Sequence, residues 1–76
     1  MMWDKRLSRM FSILGQLSPH SQLTVNDLAK EYEVNERTIQ RDLQTMESAK
    51  LGIFHENGKI RISRVGYRRI RSWLAG

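Results

Sequence analysis

The feature that most constrains this chain is an order of local signals: two short helix patterns, each opened by its own capping residue, then at once a two-residue hairpin turn. Thr24 opens the first pattern, with Asp27 three residues on in the position of a capping-box acid. Val25, Leu28, Ala29 and Tyr32 make its apolar stripe, predicting a helix over roughly residues 25–32. Asn35 opens the second, whose inward set is Ile39, Leu43 and Met46, predicting a helix over roughly residues 36–48. Only Glu33, Val34 and Asn35 separate the two. Ile53-Phe54-His55-Glu56, Asn57-Gly58 and Lys59-Ile60-Arg61-Ile62-Ser63 then read as strand, turn and strand, because Asn-Gly supplies the two positive-φ positions of a type I′ turn. Ile60 and Ile62 share one face of the second strand; Lys59, Arg61 and Ser63 share the other.

Helical patterns flank this unit. Trp3, Leu7, Met10, Phe11, Leu14 and Leu17 recur at three- and four-residue steps, predicting a first helix from about Asp4 to Leu17 with Lys5, Arg6 and Arg9 on its polar side. Ser18-Pro19-His20-Ser21 breaks it. After the hairpin, Tyr67, Ile70 and Leu74 fall on one stripe with Trp73 beside them, which predicts a fourth helix packing back, for instance on the first. A third strand is the rival, but the spacing is three and four rather than two. The expected fold is mainly α with a small β-hairpin. That order predicts a winged helix-turn-helix, three helices plus wing and a C-terminal fourth helix. One domain is expected over residues 1–76, with the helix-turn-helix at about 24–48, the wing at about 53–63 and the last helix at about 65–74.

Size and composition narrow the function. Seventy-six residues leave room for one domain, and a chain of that size buries only about 60% of the surface its unfolded form exposes. Without cysteine there is no disulfide, thiolate metal site or cysteine nucleophile. His20 and His55 lack ligand-like spacing, so no metal is expected. Asp27, Glu31, Glu33, Asp42 and Glu47 supply carboxylates, but none is paired on an apolar background, and no triad-like arrangement or glycine-rich phosphate loop exists. The expectation is therefore no enzyme, no catalytic residue, no cofactor and no small-molecule effector site. No apolar run approaches the roughly 20 residues of a membrane span, and the charged N-terminus is unlike a secretory signal. A cytoplasmic, nucleoid-associated location without a membrane partner follows as the expectation.

Charge is segregated. Residues 1–58 hold seven Lys/Arg against eight Asp/Glu, whereas residues 59–76 hold Lys59, Arg61, Arg64, Arg68, Arg69 and Arg71 with no acid. A one-sided positive field faces a polyanion, with simple solubility and acidic phospholipid as alternatives. On the third helix the outward positions are Arg37, Thr38, Gln40, Arg41, Gln44, Thr45 and Ser48, without a carboxylate. Arg can fork onto guanine N7/O6 and Gln onto adenine N6/N7, so Arg37, Thr38, Gln40, Arg41 and Gln44 are the base-reading candidates on double-stranded DNA. Thr24, Asn35, Thr45, Lys59, Arg61 and Arg64 are the phosphate and wing candidates, and a solvated face is the alternative for both sets. Lys5, Arg6 and Arg9 are open between phosphate contact and solvation. Asp42 and Glu36 read as structural, Asp42 bracing either Arg41 or a basic residue of the first helix.

The run Leu28-Ala29-Lys30-Glu31-Tyr32-Glu33-Val34-Asn35-Glu36-Arg37-Thr38-Ile39-Gln40-Arg41-Asp42-Leu43 resembles the N-terminal winged-helix domain of DeoR-type and, more closely, WYL-domain transcriptional regulators. Their Arg-Thr-Ile-x-Arg-Asp core corresponds to Arg37 to Asp42, and the likeness extends over most of residues 5–63. It implies a bacterial-type regulator that binds operator DNA, usually as a dimer, through the third helix. Asn35 stands where that group usually has serine, and its C-terminal effector-sensing domain has no counterpart here. The chain thus reads as a minimal DNA binder or the N-terminal domain of a longer regulator. The alternative is a protein-interaction or dimerisation module, in which Trp3, Trp73 and Leu74 of the terminal helices form an apolar patch for a partner or a homodimer.

Overall fold

The computed structural model describes residues 4–75. Its elements are α1 (Lys5–Gln16), α2 (Val25–Tyr32), α3 (Glu36–Ser48), β1 (Ile53–Glu56), β2 (Lys59–Ile62) and α4 (Arg64–Ala75). Each start has a local cause. Asp4 accepts the Arg6 N–H at α1, and Thr24 and Asp27 form a reciprocal capping box at α2, both bonds at 3.0 Å. The hydrogen bond from the Thr24 backbone N–H first, and the Thr24 side chain second, hold the Asp27 carboxyl below its ordinary value. Asn35 accepts the Thr38 N–H at 2.9 Å to open α3.

α2 ends on Glu33 in the left-handed region, φ 54°. The Val34 N–H then reaches back to the Ala29 carbonyl at 3.0 Å and the Glu33 N–H to Lys30 at 3.4 Å. This is the Schellman closure that helices normally make with glycine or asparagine. It turns the chain sharply enough for α3 to start at Glu36.

β1 and β2 pair antiparallel, Ile53 opposite Ile62 and Glu56 opposite Lys59, through a turn with Asn57 at φ 52° and Gly58 at φ 77°. The outer edge of β2 is not left open. The Ile60 and Ile62 N–H groups donate to the carbonyls of Leu23 (2.7 Å) and Ser18 (3.3 Å) in the α1–α2 connection. Ser21 Oγ donates to the Ile60 carbonyl at 2.7 Å. The proline-broken loop thus acts as a third backbone partner for the hairpin, and the wing is anchored to the helical body.

One apolar cluster joins Ile13 of α1 and the adjoining Leu17, Leu28 of α2, Ile39, Leu43 and Met46 of α3, the connecting Leu51, Ile53, Ile60 and Ile62 of the hairpin, and Ile70 of α4. Full burial of each such side chain contributes roughly 1.5–3 kcal/mol. α4 does fold back on α1: Leu14 and Leu17 face Tyr67 and Ile70 across a small gap. The expected α1 stripe is corrected in one respect. Ile13 and Leu17 are its buried centre, while Phe11 is 55% exposed. Phe11 precedes Ile13 by two residues, about 200° around a helix of 3.6 residues per turn, so both cannot face inward. Ser63 leaves the strand and accepts the Gly66 N–H at 3.1 Å, which starts α4 one residue earlier than its apolar pattern suggests. The expectations for Trp3 and for the Leu74 side chain lie outside the described residues. The architecture is a winged helix-turn-helix.

Candidate nucleic-acid interface

α3 presents its polar ridge between two depressions. Towards the hairpin lies a cleft of about 550 Å³ lined by Thr24, Asn26, Glu36, Gln40, Gln44, Glu47, His55 and Gly58, among others. Towards α1 lies a notch of about 230 Å³ lined by Arg6, Arg9, Thr38, Arg41 and Asp42.

The base-reading candidates divide by what their side chains already do. Arg37, Gln40, Arg41 and Gln44 are exposed, and their side chains make no hydrogen bond or ion pair among the described residues. Their donors and acceptors are open to a ligand. The Thr38 hydroxyl instead donates to the Asn35 side chain at 2.9 Å. Of the phosphate candidates, Lys59 and Arg64 are uncommitted among the described residues. Thr24 and Asn35 are engaged as caps. The Thr45 hydroxyl donates to the Arg41 carbonyl at 3.0 Å and accepts from Arg6 at 2.7 Å. Arg61 has an internal use: its Nε donates to the Ser21 carbonyl at 3.1 Å and its Nη1 pairs with Glu56. It bolts the wing to the α1–α2 connection, leaving Lys59 as the wing's free cation among the described residues.

Sequence reasoning missed one feature of this surface and left a second open between two partners. Glu47 borders the wing-side cleft, 3.8 Å from His55 Nε2, so the α3 face is less free of carboxylate than its outward positions suggest. Glu36, on the same side, accepts from the Asn26 amide at 3.0 Å. The second feature is the assembly around Asp42, which is only 1% exposed. Its carboxylate accepts from Arg6 Nε (3.1 Å), Arg9 Nη2 (3.1 Å) and Arg9 Nε. Of the two roles open to Asp42, the structure selects the brace on α1. The hydrogen bond from Arg9 to Asp42 raises the Arg9 guanidinium further above its already high ordinary value, so it stays cationic. A pair of Arg residues three apart on a polar helix face was the available signal; their common acceptor is visible only in three dimensions.

A family model described as an HTH domain matches residues 9–68, from the middle of α1 into α4. The chain belongs to this HTH domain family. No curated protein and no solved structure matches it. The matched span contains the whole α2–α3 unit and the wing, and helix-turn-helix domains are DNA-binding folds, which suggests DNA as the partner. They are not typically enzymes. Among the described residues of this HTH domain no helix is long and apolar enough to cross a membrane, and no cluster is able to hold a metal ion.

Proposed function

We propose that this HTH domain binds double-stranded DNA sequence-specifically as a transcriptional regulator, with α3 in the major groove and the wing against the backbone. The observation that carries the reading is the row of uncommitted Arg37, Gln40, Arg41 and Gln44 side chains on the exposed ridge of the second helix of the motif. Two Arg forks and two amides side by side match the acceptor and donor edges of guanine and adenine. A regulator of the DeoR or WYL-associated kind is the finer form of the proposal, supported by the Arg37 to Asp42 run. Thr38 is assigned to the groove wall, Lys59 and Arg64 to phosphate; Arg61 is assigned to holding the wing.

The test is a titration against a duplex selected from random sequence and against mixed-sequence duplex, each at several salt concentrations. Arg41→Ala is expected to weaken the selected duplex by about 1–3 kcal/mol, roughly 5- to 150-fold, and to relax base preference. Arg64→Ala is expected to weaken both duplexes by the same factor. Equal losses on both duplexes for both variants would contradict this division of labour.

A second reading, self-association, has one observation in its favour. Phe11 and Trp73 are exposed large apolar side chains that line one groove with Leu14, Gly15 and Ile70 at the α1–α4 seam. A homodimer through the terminal helices would cover them and leave α3 free, so it is compatible with DNA binding. Light scattering is expected to give a mass that rises towards twice the chain mass with concentration; a constant monomer mass to millimolar concentration rejects it.

A further inference from the structure

We propose that the notch between α1 and α3 is a seat for one DNA backbone phosphate, with buried Asp42 holding the Arg6 and Arg9 guanidiniums open towards it. This rests on the DNA-binding reading above but adds a contact from an element outside the helix-turn-helix. Arg6, Arg9 and Arg41 bring three positive charges to the notch walls and Asp42 one negative charge, which leaves a net excess of two. Two guanidiniums on one carboxylate would be redundant if the carboxylate only needed neutralising. Asp42 instead engages the Nε side of both, and the geometry fixes their orientation.

The donor inventory supports an anionic occupant. Arg6 engages its Nε–H with Asp42 and one Nη2–H with Thr45; Arg9 engages its Nε–H and one Nη2–H with Asp42. Each guanidinium carries five N–H groups, so each keeps the larger part of its donors for a ligand. Thr38 stands at the same opening in the first turn of α3, where the helix dipole also favours negative charge, although its own N–H and hydroxyl are taken by Asn35. Arg6 is 46% exposed at the rim and Arg9 15% exposed at the base, an arrangement that admits an anion from solvent. A phosphate takes forked guanidinium donors well, and side chains already ordered by Asp42 lose little freedom on binding it. The position, directly beside the ridge that carries Arg41, is where the backbone flanking a groove-bound helix would pass.

The experiment uses the whole chain with mixed-sequence duplex DNA as probe. Arg6→Met keeps an unbranched side chain without the charge and leaves the Arg9–Asp42 pair in place. It is expected to reduce affinity for selected and mixed-sequence duplexes by the same factor. The slope of log affinity against log salt should become shallower by about 0.9, the value for one lost phosphate contact. In the unsubstituted chain, the side-chain Nε–H NMR signals of Arg6 and Arg9 should shift on adding duplex, and that of Arg61 should not. Inorganic phosphate at matched ionic strength should move the same two signals only at far higher concentration. If duplex binds with a steep salt dependence while the Arg6→Met slope is unchanged and the Arg6 and Arg9 signals stay put, the seat is refuted and α3 binding survives. If the unsubstituted chain binds no duplex at low salt, both readings fall together.

Discussion

Replacing Asp42 with alanine is expected to unfold most of the protein at 25 °C. Asp42 is buried on α3 and accepts three hydrogen bonds from two arginines of α1. Removing it leaves Arg9, only 15% exposed, facing Arg6 with no counter-charge, and breaking a buried pair from one side costs about 3–5 kcal/mol. The exposed Arg6 contributes the smaller share, because water screens it. A single core of this size rarely supplies more than about 3–5 kcal/mol in total, so the loss is comparable with the whole. Asp42→Asn keeps the shape and one acceptor, and should cost less, about 1.5–3 kcal/mol, the worth of hydrogen bonds to a charged group. Urea unfolding followed by circular dichroism measures both. A Asp42→Ala midpoint corresponding to less than about 0.5 kcal/mol of change, the scale of ordinary surface substitutions, would mean that the α1–α3 assembly contributes nothing to the fold.

The same residue marks the limit of what the sequence discloses. α2, α3 and the hairpin lie where the sequence places them because their boundaries are written locally: Thr24 with Asp27, Asn35, and Asn57-Gly58 each act within three residues. The exposed ridge of α3 is likewise legible, since a 3.6-residue period alone sorts Gln40 and Arg41 from Ile39 and Leu43. Which cations on the surface are uncommitted is not local. Arg6 and Arg9 meet Asp42 across 36 and 33 residues, and Arg61 meets the Ser21 carbonyl across 40. No periodicity encodes such pairings. Glu33 carried no turn signal either, because the tight closure there is made by a residue type that seldom adopts a positive φ. The rotation of α1 escaped for a related reason: Phe11 and Ile13 are both apolar, and only contact with α4 and the core decides which one turns in.

Gly66→Ala sets two physical effects against each other, and packing is expected to win. Gly66 is the third residue of α4, where helix propensity alone favours alanine over glycine by about 1 kcal/mol. A β-carbon at this position, however, would fall on the backbone carbonyl oxygen of Leu51, with Ile62 Cγ1 only 3.0 Å away. Neither obstacle can step aside. Leu51 is buried at the exit of α3, and Ile62 is fully buried in β2. The helix itself must therefore shift, taking Tyr67 and Ile70 away from Leu14 and Leu17. The expected net loss is about 3 kcal/mol, at the upper end of what overpacking costs. Gly15→Ala is the matched control, since a β-carbon on α1 there meets nothing within 4 Å. It should gain the propensity term, about 1 kcal/mol of stability. Urea midpoints of the two variants should move in opposite directions. A Gly66→Ala protein as stable as its Gly15→Ala counterpart would mean that α4 does not cross the Leu51 backbone as closely as described, and its docking on α1 would have to be abandoned with it.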